Sequence, residues 1–199
     1  MTRISGLLGA TALSTIVSTS AVLADVTAEG VWQDLQEVYA SMGQALTFEN
    51  EQIGNGTVTV TGLASSWSSG VESGTLTLPD MVFADQGDGS VRITLPGSYT
   101  IDIEGKGGID GDMAMVVDVS HPGLEVIVTE ADGKMTYATS AQAMTVAIPS
   151  MTLDNQTFPL NMSFTTEDMI ASTTHQQSEE VLDLAYDYQF GKTDVALDM

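Results

Sequence analysis

The residues best able to do chemistry are carboxylates. Asp102–Asp112 reads DIEGKGGIDGD, and its Gly107–Asp112 part has the spacing of one calcium-binding nonapeptide turn. In such turns carboxylates and backbone carbonyls supply hard oxygen ligands, which makes Asp110 and Asp112 the candidate metal ligands. A working site of that kind needs tandem copies, and this chain has one. A solvated hairpin turn is the stronger reading, as it is for DQGD at Asp85–Asp88. His121 precedes Pro122-Gly123 and reads as a turn residue, while His175 lies in the polar run Ser172–Glu180. No HExxH or HxH spacing joins them into a metal site. There is no Cys, hence no thiol nucleophile. GxSxG, P-loop and GxGxxG patterns are absent, and no pair of carboxylates stands out as a glycosidase pair. The pattern points to a non-catalytic protein and implies no cofactor.

Charge narrows the partners. Against 27 Asp+Glu stand five Lys+Arg, a formal charge of −22. Such a field repels nucleic acid phosphates and anionic head groups. The remaining partners are an envelope protein or an apolar small molecule, and the sequence leaves membrane contact open. At 43% hydrophobic residues the chain is no disordered acidic tail.

The start of the chain gives its destination. Met1–Ala24 has Arg3, a short apolar run and Val22-Leu23-Ala24 ahead of Asp25, the features of a cleaved signal peptide. Residence in the periplasm is expected. N-terminal sequencing of the exported protein should start at Asp25, and an intact Met1 on a cytoplasmic protein would refute export. Residues 25–43 form the one predicted helix. Val31, Leu35, Val38 and Met42 make an apolar stripe, Thr27 can cap its start, and Gly43 can end it.

From residue 44 to 199 the period becomes two. Val181–Phe190 is the clearest case: Leu182, Leu184, Tyr186, Tyr188 and Phe190 alternate with polar or small residues. The stretches between the strands carry Asn55-Gly56, Asp88-Gly89, Pro122-Gly123 and Asp132-Gly133, all turn formers. Thr75–Phe83 and Thr145–Leu153 are each interrupted by Pro, which predicts an edge or bulge at Pro79 and Pro149. The expected fold is mainly β: a long antiparallel meander, curved or sandwich-like, with one N-terminal α-helix. Thr193–Met199 begins a strand and stops without a turn, which suggests a longer parent chain.

Three functions compete on these grounds: a binding or structural envelope component, a carrier of an apolar ligand such as a lipid, and an outer-membrane β-barrel. The carrier's candidate lining is Met113, Met115, Val117, Leu182, Leu184 and Tyr186. The expectation ranks a dry core, closed by the helix stripe, above an open groove.

The segments DVTAEGVWQDLQEVYASMGQ, GTVTVTGL and TLTLPDMVFADQGDGSVRITLP, following the signal peptide, carry a further likeness. Together they resemble the start of a family of alphaproteobacterial envelope proteins known as a domain of unknown function. The resemblance implies an envelope location and a repetitive β fold. It carries over no catalytic residue.

Overall fold

The computed structural model describes residues 25–69, 72–108, 111–177 and 182–197. Residues 1–24, expected to be a signal peptide, and Asp110 lie outside them, and of Leu182 and Asp183 the backbone alone is described.

The helix, α1, runs Ala28–Ser41. Thr27 caps it as expected, its hydroxyl accepting from the Gly30 N–H at 3.1 Å. Gly43, at φ 74°, ends it in the left-handed conformation that glycine adopts without a steric penalty. The buried face follows the predicted stripe as far as its last member: Val31 is buried, Leu35 packs on the core cluster and Val38 is half-buried, whereas Met42 is 51% exposed. Ala28 and Trp32 are buried beside it.

Fourteen strands form one antiparallel sheet. They are Gln44–Thr47 (β1), Asn50–Gly54 (β2), Thr57–Thr61 (β3), Ala64–Ser68 (β4), Ser73–Thr77 (β5), Met81–Asp85 (β6) and Val91–Thr94 (β7). Then come Ser98–Gly108 (β8), Gly111–Ser120 (β9), Glu125–Ala131 (β10), Lys134–Leu153 (β11), Gln156–Gln177 (β12), Leu182–Gln189 (β13) and Thr193–Leu197 (β14). The pairing reveals a simpler plan. β1 and β2 face β4 and β3 in one unbroken count, Thr47 opposite Ala64 and Asn50 opposite Thr61. β13 and β14 likewise face β12 in a single count, Gln189 opposite Ile170 and Thr193 opposite Thr166. The described strands are thus a meander of long strands, each interrupted or bent at mid-length.

These interruptions line up as a seam across the sheet. It passes through residues 48–49, 62–63, 78–80, 95–97 and 121–124. Beyond them, β11 passes from pairing with β10 to pairing with β9 between Ser140 and Thr145. In β12 the seam falls at Asp168, whose φ is 50°, and beside it Gly191 separates β13 from β14. A side chain on Gly191 would press on the Asp168 Cβ at 3.1 Å. Pro79 lies on the seam, and Pro149 marks the register shift between Ile148 and Ser150, so both predicted irregularities are present.

The seam divides the sheet into two halves. The helix half contains β2, β3, β6, β7, β10, β13 and the adjoining parts of β11 and β12. The other half contains β1, β4, β5, β8, β9, β14 and the remaining parts. The apolar residues change parity at the seam. In β11 the helix-half row holds Met135, Tyr137 and Ala141, whereas beyond the seam Val146 and Ile148 are the apolar positions. Both apolar faces nonetheless look into one interior, because Leu46 of β1 packs against the same cluster as Val58, Phe83, Val91 and Val128 of the helix half.

Candidate functional site

In the helix half the interior is filled by α1. Trp32 is tilted against Phe83 and edge-on to Phe48, ring centroids 5.7 and 5.8 Å away, and its indole N–H donates to Glu51 of β2 at 2.5 Å. Two residues further on, Asp34 reaches the opposite side of the curl. Its carboxylate accepts from the Tyr137 hydroxyl at 2.6 Å and lies 2.7 Å from His175 Nε2. Tyr137 and His175 stack on each other at 5.6 Å. Strands from both ends of the helix half therefore hold the helix. The His175 side chain is only 4% exposed and that of Asp34 14%, so their contact is a buried latch with no open face toward a substrate.

Burial raises the Tyr137 pKa far above its usual 10.0, and the hydrogen bond to Asp34 and that carboxylate's charge push it the same way. A raised folded-state pKa means that this contribution to stability is complete below about pH 10 and is lost as pH rises beyond it. Wild-type protein should therefore lose stability above pH 10 in alkaline denaturant titrations. Tyr137→Phe should flatten that loss while lowering stability at pH 7 by about 1 kcal/mol. An unchanged alkaline profile would remove Tyr137 from this role.

The second half meets α1 chiefly at β1, and its apolar rows run on beyond that contact. Leu76, Ile103, Met115, Met151 and Phe158 lie opposite one another across β5, β8, β9, β11 and β12. Tyr99, Val119, Val146, Phe164 and Val195 form a second row across β8, β9, β11, β12 and β14. Ile101 lies opposite Val117, and Gly105 opposite Met113. Val117 and Val119 are buried, but Ile101, Ile103, Met113, Met115, Val146 and Met151 are only half-buried. The reverse face carries Thr100, Asp102, Glu104 and Asp118, all exposed. The apolar rows are thus the inner surface of a trough that the helix-covered cluster reaches only at Leu46. Gly105 has room on that surface: a Cβ there would meet only Met113 Cε, at 3.9 Å.

The structure separates the candidate lining residues. Met113, Met115 and Val117 share one face of β9 in the trough. Leu184 and Tyr186 are on β13, across the seam, opposite His175 and Thr173. The expected dry cover does not extend over Tyr186–Phe190. Tyr186, Tyr188 and Phe190 are 55%, 54% and 54% exposed, because among the described strands β13 has a neighbour on one side only, and the latch from α1 reaches as far as β12. Asp112 is exposed and bound into the hairpin ends, its N–H donating to Asp154 Oδ1 at 3.2 Å while its carbonyl accepts from the Asp154 N–H at 2.9 Å. Among the described residues no group of three or more His, Asp or Glu could hold a metal ion.

His175 is corrected from a polar run to a buried position within a strand. The signal was present in the alternation Ala171, Thr173, His175, which continues through the run. His121 does lie at a turn, but it is 2% exposed, and neither ring nitrogen has a hydrogen-bond partner; its ring packs 5.4 Å from Tyr99. An unpartnered buried polar group costs about 1–3 kcal/mol. His121→Phe should therefore raise the denaturation midpoint, and a loss of stability would reveal a partner for this ring.

A scan against protein-family models, a search of curated proteins and a search of solved structures each find no match to this chain. The geometry alone therefore carries the functional reading.

Proposed function

We propose that the protein is a non-catalytic envelope carrier that holds an acyl chain in the trough of the second half. The observation behind this reading is the asymmetry of the two halves. One half curls round an α-helix that fills it. The other continues the same strands with an apolar, half-buried inner face that the helix meets chiefly at β1. Its rows cross five strands, or roughly 19 Å at about 4.8 Å per strand spacing. That exceeds the roughly 15 Å of one leaflet's hydrocarbon and suits an extended acyl chain. Met113, Met115 and Met151 add flexible, polarizable side chains that can adapt to such a chain. The charge of −22 favours a neutral ligand over an anionic one.

The test is titration of the mature protein with a neutral acyl amide bearing a solvent-sensitive dye. Saturable binding with a blue-shifted emission, displaced by unlabelled monoacylglycerol, is expected. No saturable binding to folded protein would overturn the reading.

A further inference from the structure

At the seam end of the trough sits a polar side chain with nothing to bond to. Val117 and Val119 are buried on the inner face of β9, and the alternation carries on past Ser120 to His121, with Asp118 and Ser120 exposed between them. The backbone of His121 is fixed on both sides. Its N–H donates to the Gly97 carbonyl at 2.9 Å, and its own carbonyl accepts from the Leu124 N–H at 3.2 Å. The imidazole is 2% exposed, and both of its nitrogens are buried without a partner. Its ring lies 5.4 Å from that of Tyr99, which begins the second apolar row of the trough. The other histidine, His175, has Asp34 as its partner. A native protein satisfies nearly all its buried polar groups, so an imidazole left bare beside a candidate binding surface asks for a reason. Both nitrogens are already sealed from solvent, so a segment laid on the outer face of the sheet would not reach them. A partner has to come from the interior, and the trough is the opening that adjoins it.

We propose that His121 is the specificity-determining residue of the trough and bonds the polar head of a neutral acyl ligand. This assignment rests on the carrier reading. A neutral imidazole has one donor and one acceptor. The matching head both accepts and donates: a hydroxyl or a primary amide at the end of the chain. The head enters first, the ring of His121 turns toward the trough as Tyr99 gives way, and the chain lies outward over Val119, Val117 and Met115. The bonds replace none made in the empty protein, so their gain is not offset by bonds broken there. An alkane of equal length covers the same rows and gains none of this. A carboxylate only accepts, and it meets the acidic field as well.

The probes are a long-chain primary amide, its N,N-dimethyl amide and the alkane of equal length, each displacing the dye-labelled acyl amide from the whole mature protein. Wild type should prefer the primary amide over the other two by about tenfold, the equivalent of one well-made hydrogen bond. His121→Phe should bind all three alike, and His121→Gln, which keeps a donor and an acceptor, should retain most of the preference. In wild type the imidazole nitrogen NMR signals of His121 should move with the primary amide and stay in place with the alkane, a readout that needs no variant to fold. The proposal is overturned if wild type binds the three probes equally, if His121→Phe keeps the preference, or if the primary amide leaves the imidazole signals unmoved. In each of those cases saturable binding persists, so the anchor falls and the carrier reading stands. No saturable binding of any probe to wild type would remove both.

Discussion

Asp34→Ala should lower the stability of the protein by about 3 kcal/mol, because two groups packed against it each lose a hydrogen-bond partner at about 1–3 kcal/mol apiece. The substitution leaves His175, 4% exposed, and the buried Tyr137 hydroxyl without their shared acceptor. For a domain of this size each kcal/mol moves the thermal midpoint by about 2–4 °C, so a fall of about 10 °C is expected. The loss should be local as well as global. With the latch gone, the side of α1 facing β11 and β12 has only its apolar contacts, and its amides should exchange faster than those of β9. Asp34→Asn keeps an acceptor and should cost clearly less. If Asp34→Ala left the midpoint unchanged, the contact would not be holding the helix.

Filling the trough should separate ligand binding from folding. Gly105→Leu adds a side chain where the nearest atom, Met113 Cε, is 3.9 Å from the new Cβ, so the fold should be retained with little strain. Acyl-amide affinity should fall at least tenfold, about 1.4 kcal/mol. Met115→Asp makes the complementary test. Met115 is half-buried in the central row, and a carboxylate there stays hydrated while the trough is empty. Binding should be lost while the circular dichroism spectrum and midpoint stay near wild type. If Met115→Asp unfolded the protein, as burial of an unpaired charge in a packed core does, the trough would be a dry core and the carrier reading would fail. Leu184→Asp is the informative control: Leu184 lies across the seam, and its replacement should leave acyl binding unchanged.

The legibility of the fold varied by element. The helix and its Thr27 cap were readable because capping and period are local. The strands were readable as strands, but not their grouping. Thr75–Phe83 looked like one strand broken by Pro79, and the structure places its two parts in different halves, β5 with β8 and β6 with β7. In the trough, Met113, Met115 and Val117 were found because they alternate on one strand. Leu182, Leu184 and Tyr186 were placed beside them on the same pattern, and nothing in a period of two says which half of a folded sheet a strand occupies.

The sequence by itself determined the acidic field, the helix at residues 28–41 and a meander of alternating strands, because each follows from composition or from neighbours a few residues apart. Tertiary structure alone decided which apolar faces are covered. Asp34 reads as a polar helix position until β11 and β12 bring Tyr137 and His175 to it, over sequence separations of 103 and 141 residues. Tyr186, Tyr188 and Phe190 read as a core strand until the pairing order leaves β13 with one neighbour among the described strands, beyond the latch from the helix. Burial is a property of what lies opposite, and in an antiparallel sheet bent along a seam that is set by register and curl, which no single strand encodes.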